Sequence, residues 1–169
     1  MHNTEEKVVL GIDPGTARMG YGVINYKNPD ISCVEYGVLE TETKTEEALR
    51  LKDLYKGLNN LIHKHNPDVV AIEDIFYFKN QKTLVQVSQA RGIALLAATN
   101  NGKKCYSFTP LQVKQAVVGY GQAEKHQVQE MVKAILHLED TPKPDDAADA
   151  LAVAISCAHS LKMLQFSEK

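Results

Sequence analysis

Four acidic side chains stand where apolar elements end or begin. Val8-Val9-Leu10-Gly11-Ile12 is a near-continuous apolar run that stops at Asp13, and Val69-Val70-Ala71-Ile72 stops at Glu73. A third apolar stretch opens Pro144-Asp145-Asp146-Ala147-Ala148-Asp149-Ala150, so Asp146 and Asp149 lie three apart on one helix face. A carboxylate at the end of a buried strand is costly unless it meets a partner, because desolvating an ion costs several kcal/mol even after relaxation. Taken singly, each acid has an ordinary explanation. Asp13 before Pro14-Gly15 reads as the first residue of a turn. Asp145 or Asp146 reads as a helix cap, with Asp149 complementing the helix dipole. Taken together they read differently: like charges about 4 Å apart repel by about 4 kcal/mol at an effective dielectric near 20, so converging carboxylates imply bound cations. An oxygen-only set, with no Cys or His at zinc spacing, favours Mg²⁺ or Mn²⁺. Two such ions suit phosphoryl transfer, one activating water and the other stabilising the leaving oxygen.

The elements that must position these acids follow from periodicity. The runs ending at Asp13 and Glu73 read as buried strands. Segments 20–26 and 31–39 read as strands of an antiparallel meander, and 103–108 as a fifth strand. From 46 to 65, Leu51, Leu54, Tyr55, Leu58, Leu61 and Ile62 recur every three or four residues, which predicts an amphipathic helix. Further helices are expected over 80–101, 110–118, 124–138 and 145 to about 164. The order βββαβαβαα(α) predicts an α/β fold, a mixed five-stranded sheet flanked by helices, in which the strands ending in Asp13 and Glu73 are neighbours. The alanines between Asp146 and Asp149 would let the last helix lie close on that sheet.

The chain has 169 residues, of which 44% are apolar and 24% charged. That fits a single domain over 1–169 and excludes collagen-like, disordered and disulfide-rich classes. No unbroken apolar run approaches the ~20 residues of a membrane span. The polar N-terminus lacks the apolar stretch of a secretory signal, so a cytoplasmic protein without a membrane partner is expected. Cys33, Cys105 and Cys157 are read as reduced, buried thiols. The formal charge of −2 hides an asymmetry. Residues 1–74 hold 8 basic and 13 acidic side chains, 75–138 hold 8 and 2, and 139–169 hold 3 and 6. A basic middle is a pointer to a polyanion partner, although a solvated helix face explains part of it.

With these residues in place, the sequence resembles the RuvC-type crossover-junction (Holliday junction) endodeoxyribonucleases, which have an RNase H-like fold. The segments that carry the resemblance are Leu10-Gly11-Ile12-Asp13-Pro14-Gly15-Thr16 with Gly20-Tyr21-Gly22-Val23-Ile24, then Ala71-Ile72-Glu73 with Phe76, and Lys79-Asn80. They continue through Gln89-Ala90-Arg91-Gly92, Gln112-Val113-Lys114-Gln115, Val118-Gly119, Ala123-Glu124-Lys125 with Gln127-Val128, and Asp146-Ala147-Ala148-Asp149-Ala150-Leu151-Ala152. The match is collinear from about residue 8 to 160, and the order and spacing of the blocks make it specific.

The resemblance implies a metal-dependent, structure-selective DNA endonuclease that resolves four-way junctions by paired nicks, leaving 5′-phosphate and 3′-hydroxyl ends. It implies that Asp13, Glu73, Asp146 and Asp149 are the catalytic acids, holding two Mg²⁺ ions with Mn²⁺ as a substitute. It marks Lys114 and Lys125 as functional lysines near the scissile phosphate, with Lys125 neutralising transition-state charge. Lys114, Lys79 and Lys82 are expected to grip DNA backbone. Phe76 is implied as a wedge at the branch point, where a ring can unstack a base pair; Tyr77 and Phe78 beside it are the alternatives. Paired nicks need a twofold homodimer, matching the junction's symmetry, and a branch-migration motor complex is an expected partner. Asp74 and Asp145 are acids without an assigned role, and Arg91 reads equally as a phosphate contact or a satisfied buried group. The rival readings are a related nuclease acting on RNA, a non-catalytic junction-binding scaffold, and an actin-like ATPase or sugar kinase. The last is disfavoured because such enzymes close two domains over ATP.

Overall fold

The two apolar runs that end in acids pair with each other. The computed structural model describes residues 5–75 and 79–167. In it, β1 (Lys7–Asp13) and β4 (Val69–Glu73) are parallel neighbours, with Ile12 opposite Ile72. β2 (Arg18–Lys27) lies antiparallel on the other side of β1, placing Gly20 opposite Asp13, and β3 (Asp30–Glu40) forms that edge. β5 (Lys104–Phe108) runs parallel beyond β4, so the sheet order is β3-β2-β1-β4-β5. This is the mixed five-stranded sheet expected from the order of elements.

Alternation of side chains along the strands divides the core into two layers. On one face α1 (Glu47–His65) and α2 (Gln81–Asn100) press Leu54, Leu58, Ile62, Ala94 and Ala97 onto Leu10, Ile12, Val70 and Ile72. On the other, α3 (Pro110–Val118), α4 (Lys125–Ile135) and α5 (Asp145–Ser167) cover Val9, Ile24 and Ala71. Burial of each such large apolar side chain contributes about 1.5–3 kcal/mol, which is why the central strands are apolar on both faces.

α5 is the element that carries two of the acids, and its seat depends on absent side chains. A Cβ at Gly11 would stand 2.1 Å from the Ala150 carbonyl oxygen, and one at Gly20 would stand 2.0 Å from that of Asp146. Glycine therefore lets the helix backbone touch the sheet backbone. Ala147 and Ala148, the alanines between the two acids, are buried as expected, and so is Ala150.

Three expectations are corrected. Among the described residues one helix, Asp145–Leu164, is long and apolar enough to cross a membrane, with mean hydropathy 1.3. Counting unbroken apolar runs missed it because Asp149 and Ser156 interrupt the sequence; two-thirds of it (67%) is buried in the fold as the core helix. Of the cysteines only Cys157 is buried, whereas Cys33 and Cys105 are half-buried on strands at or near the sheet edges. Helical spacing over 124–138 predicts an apolar face of Val128, Met131, Val132, Ile135 and Leu136, but Met131 is exposed, since that short helix buries only a narrow stripe.

Candidate active site

Asp13 and Glu73 face the same layer because both continue the odd-numbered rows of their strands, Val9-Gly11-Asp13 and Val69-Ala71-Glu73. The two carboxyls share a hydrogen bond. Burial pushes the Asp13 carboxyl up to about 9, and the charges of Glu73, Asp149 and Asp146 push in the same direction. Glu73 is also raised, chiefly by burial, against the pull of its bond to Asp13 and of Lys125 and Lys114. The end of α5 lies over them: its contact with Gly20 brings Asp146 beside the strand residue paired with Asp13. Asp149, one turn on, is raised by burial and partly relieved by Lys125.

Among the described residues two cations form ion pairs with these acids. A capping box at Glu124, whose backbone N–H donates to the Gln127 side chain at 2.7 Å, starts α4 at Lys125. Lys125 Nζ lies 3.3 Å from Asp149 Oδ2 and 3.6 Å from Asp145 Oδ2. Burial works against its charge, but Asp149 and Asp145 outweigh that and raise its pKa. Lys114 follows from the capping box of Thr109 and Gln112, which starts α3 at Pro110. With Glu73, Lys125, Asp149, Val113 and Val128 it lines a cleft of about 230 Å³. The second cation, Arg18, lies 3.7 Å from Asp146 Oδ2 and was not singled out from the sequence. Its signal was available: it is the first residue of the strand that turns back from Asp13.

The remaining sites divide. Lys79 and Lys82 are exposed at the start of α2, where Asn80 accepts from the Lys82 backbone N–H at 2.9 Å. They stand apart from the cleft lined by Lys114 and Lys125. Phe76, Tyr77 and Phe78 lie outside the described residues. Asp74 points away from Glu73 and pairs with Arg91 (Nε–Oδ1 3.3 Å), which also donates to Ser107 Oγ at 2.8 Å. Both residues are thus partnered within the fold. Asp145 is held by Lys143 at 3.2 Å, which keeps its carboxyl below the usual range. α5 begins at Asp145, so Asp145 and Asp146 both lie in its first turn rather than at the capping position before it.

An oxygen-only set of four carboxylates at one end of the sheet, three of them (Asp13, Glu73 and Asp149) half-buried with raised pKa, fits a hard divalent cation. Among the described residues no three acids enclose a cation as the side chains stand. Asp13 is paired with Glu73, Asp149 forms an ion pair with Lys125, and Asp146 forms a longer one with Arg18.

Comparison with known proteins gives one consistent result. A family profile described as "Crossover junction endodeoxyribonuclease RuvC" matches residues 9–157. A protein of that name from Caldanaerobacter subterraneus subsp. tengcongensis is 57% identical over 157 residues, covering 93% of this chain and 95% of the relative. One from Clostridioides difficile is 51% identical, covering 92% of each. Among solved structures, Thermus thermophilus RuvC in complex with Holliday junction substrate superposes with a TM-score of 0.89 at 34% identity, over 93% of this chain and 96% of that one.

Proposed function

The chain belongs to the RuvC family of crossover junction endodeoxyribonucleases, and we propose that it resolves four-way DNA junctions in the cytoplasm with Asp13, Glu73, Asp146 and Asp149 as its catalytic acids. The observation that carries the assignment of residues is the gathering of these four carboxylates at the end of β1, β4 and α5 beside a cleft lined by Lys114 and Lys125. When bound, two Mg²⁺ ions, or Mn²⁺ in their place, supply activation of water and stabilisation of the leaving oxygen. The chain's own residues do the rest. Asp13 and Glu73, from the strand ends, and Asp146 and Asp149, from α5, would hold the cations through their carboxylate oxygens. Lys125 neutralises the charge that develops on the phosphate oxygens, a contribution made chiefly in the transition state. Lys114 holds the strand in the cleft, while Lys79 and Lys82 grip backbone farther out. Phe76, three residues beyond Glu73, supplies a ring at the branch point, where interrupted stacking lowers the cost of inserting it.

Two nicks in opposed strands call for two copies of this site, and we infer a twofold homodimer. α2 supports that reading: Leu84, Val85 and Leu96 are exposed along it, with Leu49 of α1, on a helix that has little amphipathic pattern. Incubating the protein with labelled four-way junction, linear duplex and structured RNA, with and without Mg²⁺, tests the function. Symmetric nicks in the junction alone, only with metal, are expected. Preferential cleavage of RNA, or junction binding without cleavage, would overturn it.

A further inference from the structure

Arg18 begins β2 directly opposite Glu40 on β3, and the two side chains pair at 3.2 Å (Nε–Oε1). Its other reach is toward Asp146, with Nη1 3.7 Å from Oδ2. The backbone beneath it is fixed: the Thr41 N–H donates to the Ala17 carbonyl at 3.0 Å, the Thr41 hydroxyl to the Thr16 carbonyl at 2.5 Å, and Arg50 Nε to the Thr41 hydroxyl at 3.0 Å. Ala17, Arg18, Glu40, Thr41, Glu42, Thr43 and Asp146 line a cleft of about 520 Å³ in which, of the described residues, Arg18 is the one cation among three acids, and it shares no lining residue with the cleft containing Lys114 and Lys125. Half of the Arg18 side chain is exposed.

We propose that Arg18 is a positioning residue that competes with the divalent cation for Asp146 and, once displaced, binds a substrate phosphate in this second cleft. The inference rests on the metal-binding reading of the four acids. The guanidinium faces Asp146 Oδ2, so ligation through that oxygen, and the approach of a second positive charge to the same carboxylate, both work against the Arg18 pair. Glu40 remains as the anchor that keeps the freed guanidinium at the mouth of the cleft. A planar fork of N–H donors there suits the oxygens of a phosphodiester better than a point charge does. The two clefts would then flank the acids, with Lys114 and Lys125 in one and Arg18 in the other, Lys125 acting through chemistry and Arg18 through grip.

The test is an Mg²⁺ titration followed by thermal shift, without DNA, on the full chain. Arg18→Ala should lower the Mg²⁺ midpoint about two- to fivefold, the range of an exposed ion pair. Glu40→Gln should raise it, because Arg18 is then left to Asp146 alone, and this variant carries the test if Arg18→Ala does not fold. In an Asp146→Asn background Arg18→Ala should leave the residual midpoint unchanged. In junction cleavage Arg18→Ala should raise KM and flatten the slope of log KM against log salt by about 0.9. An unchanged midpoint in Arg18→Ala, or the same fall with and without Asp146, would overturn the competition while leaving the metal site standing. A wild-type protein that shows no Mg²⁺ response would overturn both.

Discussion

At the scale of single residues, Asp13 is the acid whose surroundings most resist its charge. It sits at the buried end of β1 against Glu73, and burial followed by that neighbour pushes its carboxyl from the ordinary 3.8 up to about 9. An acid that keeps its proton to higher pH in the folded chain than in the unfolded one stabilises the fold below the unfolded pKa and withdraws that stability as pH climbs to the folded value. Metal-free protein should therefore lose stability from about pH 4 toward pH 9 on account of this group. Asp13→Asn removes the titration, so in EDTA its Tm should match wild type near pH 4 and exceed it increasingly above, at about 2–4 °C per kcal/mol for a chain of this size. The same variant should bind a four-way junction and fail to cut it. A Tm gap that does not change with pH would show that Asp13 carries no buried charge to relieve.

At the scale of elements, the seat of α5 decides where Asp146 and Asp149 stand. Gly20→Ala would put a methyl 2.0 Å from the Asp146 carbonyl oxygen, backbone that cannot give way cheaply. Overpacking of this kind costs about 1–3 kcal/mol, and the first turn of α5 should lift. Denaturant unfolding should show that loss, together with a weaker Mg²⁺ response than the loss of stability alone explains; wild-type behaviour in both would mean the helix slides without cost. The contrast with what the sequence disclosed is instructive. β1 and β4 and their terminal acids were legible because a continuous apolar run ending in a carboxylate has few other uses. α1 was legible from its period. The role of Gly20 was not, because a glycine's meaning depends on which backbone approaches it. Arg18 is not legible in the sequence because its partners, Glu40 and Asp146, are joined to it only by strand pairing and helix seating. Asp74 could be resolved only once the register turned it away from Glu73 toward Arg91 on α2. Met131 shows the reverse error: helical spacing told which face it occupied, but not that α4 meets the core along so narrow a line.

At the scale of the whole molecule, one copy holds one set of four acids, whereas resolving a junction takes two opposed cuts made before the strands part. The exposed side of α2 is the surface whose chemistry suits self-association. Leu84, Val85 and Leu96 lie in water along a helix whose other side covers the sheet through Ala90, Ala94 and Ala97. Isologous pairing would bury the same patch from both copies. Charged substitutions there should separate the copies without touching the acids. Leu84→Glu with Val85→Glu, well away from Asp13 and Glu73 in the chain, should shift light-scattering mass from twice 18.7 kDa to 18.7 kDa. Because the variant keeps its acids, its Mg²⁺-induced rise in Tm should persist, which separates loss of pairing from loss of folding. Its cleavage should then decouple: on a supercoiled cruciform plasmid, wild type should give linear product directly, and the variant should accumulate singly nicked circles. A variant that stays dimeric places the interface elsewhere on the surface. One that becomes monomeric and still yields linear product at the wild-type rate would show that the two cuts are not made by a paired enzyme at all.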